Sequence, residues 1–229
     1  MGNDTIDYTT TYHNELATEK TINLDYKDED GRSKIRSLIS QYKYCKPFIK
    51  GNKLLEIGSG AGTSLLWFEK KGFDVVGIEP DTKNVELINK KLQKGIIHNG
   101  FIESFNTDDK FDIIWASHVL EHTKDPKSIV NSLKKILKTN GFIFIEVPNC
   151  TNESVHRKDS KYKYHLHHFT PDLLKELASE YRIIKCDPFR PAKKIEGMIN
   201  KVRPYRYYPR ILTNFKDGIY TRLIITFGE

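Results

Sequence analysis

Leu54-Leu55-Glu56-Ile57-Gly58-Ser59-Gly60-Ala61-Gly62-Thr63 reads as a buried strand running into a tight turn and then a helix. Glycine carries no Cβ, so a backbone rich in it adopts positive φ at low cost and lets a ligand approach closely. The helix that follows presents unpaired N–H groups at its start, a seat for an anionic or strongly polar ligand. The segment therefore predicts a loop for a nucleotide-type cofactor.

Spacing narrows the cofactor. A dinucleotide fingerprint needs G-x-G-x-x-G. Here the run is Gly58-x-Gly60-x-Gly62, position 63 is threonine, and Glu56 stands two residues before the first glycine. A second apolar strand, Asp74-Val75-Val76-Gly77-Ile78-Glu79, ends in an acid, and an acid there can accept hydrogen bonds from both ribose hydroxyls. A further strand, Phe111-Asp112-Ile113-Ile114-Trp115-Ala116, leads into Ser117-His118-Val119-Leu120-Glu121-His122. Then come Asp125-Pro126, an amphipathic helix, and Gly141 to Asn149 as another apolar strand. This order resembles the class I S-adenosylmethionine-dependent methyltransferases, in particular the group of ubiquinone-type and sugar or polysaccharide O-methyltransferases. The likeness covers about residues 50–185.

The alternation of strands and helices predicts an α/β fold with a mostly parallel sheet covered on both faces. Strands are expected near 53–57, 74–79, 96–101, 111–116, 142–147, 181–186 and 219–227. Helices are expected near 33–50, 62–71, 82–94, 126–139 and 170–179, with Ser33 and Thr170 as N-caps. The resemblance implies a Rossmann-like, doubly wound seven-stranded sheet in the order 3-2-1-4-5-7-6, the last strand antiparallel. It divides the chain into an N-terminal helical cap, 1–50, and a methyltransferase domain, 51–229. Relatives join their last two strands by a short turn, whereas about thirty residues, 188–217, intervene here.

The resemblance also implies contacts with S-adenosylmethionine, which leaves as S-adenosylhomocysteine. Glu56, Gly58, Ser59, Gly60 and Gly62 would surround the methionine part, Glu79 the ribose, with Pro80 also against the cofactor, and Ser117 and His118 the amino-acid end. Phe101 stands where an aspartate is common, so adenine is expected against Phe101 and Ile102. For Glu103, Ser117 and His118 a turn or capping role is an equal reading. In the cap, Tyr8, Tyr12, Arg32 and Arg36 are candidates to close over the cofactor, an arginine pairing with its carboxylate.

Open α/β sheets place their chemistry at the carboxyl ends of the strands, and two histidine groups fall there. His122 ends the "VLEH" element. His165, His167 and His168 lie in "YHLHHFTPDLL", which resembles the "HLHHF" stretch of polysaccharide-type methyltransferases. The catalytic base is expected to be His165 or else His122, with His167 and His168 toward the substrate. Loop packing is the competing role for each. Three histidines within four positions could ligate a metal, but with no supporting Cys or carboxylate spacing no metal site is expected.

Composition bounds the rest. The length suits one packed α/β domain. No apolar run reaches a membrane span, and residues 1–25 are too polar for a secretory signal. Cys45, Cys150 and Cys186, scattered without C-x-x-C spacing, fit a reducing cytoplasm. Charge balances over residues 1–150, so the whole net +7 lies after them, densest around Arg190, Lys193, Lys194, Lys201, Arg203, Arg206 and Arg210. Tyr205, Tyr207 and Tyr208 are interleaved with those bases. Such a run is either a solvated insertion or a basic wall for an acidic or phosphorylated acceptor, Arg203 and Arg206 being the candidate contacts. One short segment is a small footprint for nucleic acid. The expected activity is O-methylation of a sugar, nucleotide sugar or phosphorylated precursor of a surface polysaccharide. The other readings are N- or O-methylation of a quinone-like or other metabolite, and a non-catalytic cofactor-binding partner protein. A homodimer is kept open.

Overall fold

The computed structural model describes residues 29–191, 210–214 and 216–227. Its sheet grows from apolar runs too short for helices and too continuous for a half-wet surface. The strands, of which the central ones carry those runs, are β1 (Lys53–Ile57), β2 (Asp74–Glu79), β3 (Ile96–Asn99), β4 (Phe111–Ser117), β5 (Leu137–Pro148), β6 (Arg182–Pro191), β7 (Arg210–Leu212) and β8 (Tyr220–Thr226). The helices are α1 (Glu29–Cys45), α2 (Thr63–Lys70), α3 (Thr82–Asn89), α4 (Pro126–Ser132), α5 (Glu153–Asp159) and α6 (Pro171–Leu177).

Among the described residues the strand order is β3-β2-β1-β4-β5-β8-β6-β7. Strands β1 to β5 pair in parallel, and β8 runs antiparallel to both its neighbours, β5 and β6. With β8 as the seventh strand of the family order, this is the expected 3-2-1-4-5-7-6 sheet with the last strand antiparallel. Strand β7 is an addition at the β6 edge, where Phe189 pairs with Leu212 and Pro191 with Arg210. The basic insertion therefore begins as a continuation of β6 and returns as β7. Arg203 and Arg206, like Tyr8 and Tyr12, lie outside the described residues, as does the side chain of Arg32.

Because side chains alternate across a strand, adjacent apolar residues serve opposite cores. Leu55, Ile114 and Ile143 face Ile129 and Val130 of α4 and Leu174 of α6. Their neighbours Leu54, Ile113 and Phe142 face Leu38 of α1, Leu65 and Phe68 of α2, and Val85 and Ile88 of α3.

Local rules set most helix starts. Asp81, Asp125 and Thr170 accept from the backbone N–H three residues on, and Pro126 and Pro171 occupy the first turn. Helix α1 starts before the expected Ser33 and stops at Cys45, since Pro47 lacks the N–H a continuing helix needs. The helix expected over 126–139 is also shorter. Helix α4 ends at Ser132, a 3₁₀ turn covers Leu133–Lys135, and Leu137 already pairs with Phe111 in β5. Gly141, expected at the start of the strand, lies within it. A Cβ there would sit 2.9 Å from the Asp112 carbonyl oxygen, so its smallness serves strand packing. Helix α5 was not expected at all.

Candidate functional site

The turn after β1 is fastened to β2. Gly58 N–H and Ser59 N–H both donate to the Ile78 carbonyl, at 2.9 and 3.2 Å, and Gly62 N–H donates to the Ser59 carbonyl. Gly58, Gly60 and Gly62 have φ of 69°, 52° and 75°, all left-handed. A Cβ at Gly58 would stand 2.8 Å from Val119 Cγ2, and one at Gly62 2.5 Å from Ile88 Cγ1, whereas at Gly60 it would meet nothing within 4 Å. The outer glycines are thus demanded by packing, while the middle one borders open space.

Glu79, at the end of β2, reaches back to this turn. One carboxylate oxygen accepts from Gly60 N–H at 2.6 Å and the other from Asp81 N–H at 3.0 Å. Burial pushes its carboxyl up to about 7, against those two hydrogen bonds. Asn99 Nδ2 donates to the carbonyls of Glu79 and Pro80, and Gly100 N–H donates to that of Glu79. These bonds set Phe101 and Ile102 beside the acid. Ile102 is buried, and the Phe101 ring is 42% exposed, a broad apolar face open to solvent.

A cavity of about 310 Å³ opens on the other side of the glycine turn. Its floor is Glu56, Gly58, Ser59 and Ala61. Thr63 and Ser64 of α2, Trp115, Ser117 and His118 at the end of β4, and Lys34, Ser37, Leu38 and Gln41 of α1 form its walls. Glu56 is 3% exposed and accepts from the Ser64 hydroxyl. Its Oε2, like the buried Ser59 Oγ, has no protein partner. Burial pushes this carboxyl up to about 8. A buried carboxylate and a buried hydroxyl at the floor of an open cavity suit a polar ligand with hydrogen-bond donors, as the amino end of S-adenosylmethionine offers.

His118 is the one non-glycine residue with positive φ among the described residues, at 57°. Its N–H donates to the Glu146 carbonyl at 2.8 Å, which holds the unusual backbone in place. Nδ1 lies 3.1 Å from Glu121 Oε1 and Nε2 3.4 Å from Glu146 Oε1. Partial loss of hydration disfavours its charge, although the side chain is 38% exposed, and the two carboxylates outweigh that and raise it to about 10. Glu146 also accepts from Gln41 Nε2 at 2.7 Å and from Arg222 Nε at 2.5 Å, and both Glu146 and Arg222 are fully buried. The cavity wall thus rests on an ion network threaded through the sheet.

The two histidine groups of the sequence converge. Leu166 N–H and His167 N–H donate to the Glu121 carbonyl, at 2.7 and 3.2 Å, which docks the second group onto the first. The His122 and His165 rings lie 4.6 Å apart. His122 Nδ1–H donates to the Tyr164 carbonyl at 3.0 Å; burial lowers its basicity, although the Glu121 charge pulls the other way. Asp159 holds two imidazoles at once, His165 Nδ1 at 2.5 Å and His168 Nδ1 at 2.6 Å, and also accepts from the Cys150 thiol. Burial would raise its carboxyl, but these bonds bring it below the ordinary range. His167 turns away and stacks on Phe169, its Nε2 buried without a partner. Sequence reading missed Asp159 and the α1 wall. Asp159 closes a polar helix with no apolar stripe, and Gln41 meets Glu146 across 105 positions.

Residues 28–181 match the family described as a methyltransferase domain. Ubiquinone biosynthesis O-methyltransferase of Pasteurella multocida is 31% identical over 118 residues, which cover 45% of this chain and 49% of that protein. The same-named protein of Pelagibacter ubique is 32% identical over 110 residues, 46% of each. The chain spans about half the length of these curated relatives. Among solved structures, a plantazolicin methyltransferase with S-adenosylhomocysteine aligns at a TM-score of 0.65 and 17% identity, over 96% of this chain and 94% of that one. A SAM-dependent methyltransferase of Archaeoglobus fulgidus aligns at 0.61 and 18%, over 83% and 93%. With the sheet order, the glycine turn fastened to Glu79 and a family match over most of its length, the chain belongs to the class I S-adenosylmethionine-dependent methyltransferases.

Proposed function

We propose that this protein transfers the methyl group of S-adenosylmethionine to a hydroxyl of a small quinone-like or comparable metabolite. The observation that carries the cofactor half is the Gly60 N–H bound to the Glu79 carboxylate, which sets the ribose acid against the glycine turn. Glu56 Oε2 and Ser59 Oγ supply acceptors for the amino group, and Ser117 and His118 border the amino-acid end. Glu79 takes the ribose hydroxyls, and Pro80, Phe101 and Ile102 take the adenine. Helix α1 supplies Lys34, Ser37, Leu38 and Gln41 to the wall that closes the site.

The acceptor half rests on the relatives, whose names point to a ubiquinone precursor. None of the relatives quoted names a sugar, so the quinone-like reading displaces the polysaccharide one. Bound, the cofactor supplies an electrophilic methyl whose C–S bond breaks as the O–C bond forms, the electron pair staying on sulfur. The chain must align the acceptor oxygen, exclude water and receive the hydroxyl proton. The paired rings of His122 and His165, 4.6 Å apart and beside Glu121, hold and orient that hydroxyl. Incubation with isotopically methyl-labelled S-adenosylmethionine and a panel of catechols, phenols and nucleotide sugars, read by mass spectrometry, tests this. Label on a phenolic oxygen supports it, and label on the sugars alone overturns it.

A further inference from the structure

Ligand atoms of Glu121, His122 and His165 all lie within 4.8 Å of one another. The carboxylate is fully buried and splits its duties: Oε1 pairs with His118, while Oε2 has no partner. A buried carboxylate oxygen left without a partner is costly unless a donor or a cation meets it. Both imidazoles have their Nδ1 taken, His122 by the Tyr164 carbonyl and His165 by Asp159. An outer oxygen on one ring nitrogen fixes the tautomer and directs the other nitrogen to a ligand, the arrangement usual around metal-bound histidine. The neighbouring group Cys150, Asp159 and His168 differs, because its atoms already bond to one another.

We propose that Glu121 Oε2, His122 Nε2 and His165 Nε2 bind a divalent first-row transition cation of the zinc class, on which the acceptor oxygen is held. Two imidazoles and one carboxylate suit such an ion better than magnesium or calcium. Three protein ligands leave a coordination position open for water or substrate. With ligands at about 2.1 Å, a tetrahedral ion needs ligand atoms about 3.4 Å apart, so side-chain rotation closes the set. Glu121 links the ion to the cofactor cavity through His118, which lines that cavity. The cation's role rests on the acceptor reading above, and the site itself rests on geometry. A hydroxyl bound to the ion loses its proton to water more readily, so the two imidazoles act as ligands rather than as bases. Sequence spacing concealed the set because His165 lies 43 positions from His122.

Untagged protein, stripped with a chelator and desalted, is titrated with Zn²⁺ by calorimetry and with Co²⁺ by visible absorption, without methyl donor. One equivalent of Zn²⁺ and Co²⁺ bands of a low-symmetry nitrogen–oxygen site are expected. Glu121→Gln and His165→Ala should each weaken Zn²⁺ at least 10-fold, and Asp159→Asn, which only positions His165, should weaken it about 10–100-fold. Cys150→Ala should keep it. S-adenosylhomocysteine binding, measured in parallel, reports that each variant is folded. Wild-type protein that binds S-adenosylhomocysteine but no stoichiometric metal overturns the proposal and leaves the methyltransferase reading intact. Metal uptake without S-adenosylhomocysteine uptake overturns that reading instead. Zn²⁺ affinity unchanged in Glu121→Gln and His165→Ala also refutes the assignment.

Discussion

Removing one end of the buried Glu146–Arg222 pair should destabilise the protein unequally, and the structure sets the order. Both side chains are fully buried, with Arg222 Nε 2.5 Å from Glu146 Oε2. Breaking such a pair from one side costs about 3–5 kcal/mol, because the survivor is left as a buried charge. In Arg222→Met the survivor is Glu146, which keeps the Gln41 amide at 2.7 Å and the His118 ring at 3.4 Å. That places the loss near the lower bound, about 3 kcal/mol. In Glu146→Gln the survivor is Arg222. It keeps the Ser40 hydroxyl at 3.1 Å and the Phe189 ring 4.0 Å from its guanidinium, but no carboxylate, and its Nη2 already lacks a partner. That loss should approach about 5 kcal/mol. Urea unfolding followed by circular dichroism measures both, and the double variant should cost less than the sum of the singles. Single losses both below about 1 kcal/mol, or strict additivity, would refute the network as described.

Glu79→Ala should weaken S-adenosylhomocysteine binding by about 1.5–3 kcal/mol, since charge-assisted bonds to the ribose and the brace on Gly60 are lost together; calorimetry showing unchanged affinity removes Glu79 from the ribose. Gly62→Ala forces a left-handed residue and a Cβ 2.5 Å from Ile88 Cγ1, so unfolding should cost about 2 kcal/mol or more. Gly60→Ala meets no atom within 4 Å and should lose only about 1 kcal/mol of backbone strain, so a reversed order in the same urea experiment counts against this account of the turn. Burial holds the Glu56 carboxyl at about 8 and that of Glu79 at about 7, both above the 4.5 of an open chain. The folded, ligand-free protein therefore retains protons that the unfolded chain releases. The stabilisation is complete below pH 4.5 and fades as pH rises through 7 and 8. Scanning calorimetry should show Tm falling from pH 5.5 to 8.5, and Glu56→Gln should flatten that slope.

The parallel strands were legible because a strand buried on both faces carries a continuous apolar stretch, as Leu54-Leu55, Val75-Val76, Ile113-Ile114-Trp115 and Phe142 to Ile145 do. Helix ends were harder. Ile136 and Leu137 continue the amphipathic stripe of α4, so no local signal marks Ser132 as the stop. The boundary is set by Leu137 pairing with Phe111, a contact 26 positions away in sequence. Helix α5, Glu-Ser-Val-His-Arg-Lys-Asp, has no stripe, and its one local cue is the Asn152 cap.

For the site, legibility ended where the chain folds back on itself. The glycine turn and Glu79 could be read because each needs a residue type at a place set by its own strand. The cavity wall could not, since Gln41 is a functional neighbour only through Glu146 and Ser117. His122 and His165 stood in the sequence as rival bases, and what unites them is Glu121. Its carbonyl receives the N–H groups of Leu166 and His167, its Oε1 receives His118, and its Oε2 is buried without a partner. Backbone docking at that one carbonyl brings the second histidine group over the first, and the side chain of the same residue ties the pair to the cofactor cavity. An acid in that place thus does more than cap a turn: removing its carboxylate while keeping its carbonyl would leave the loop docked and separate the histidine pair from the methyl-donor pocket.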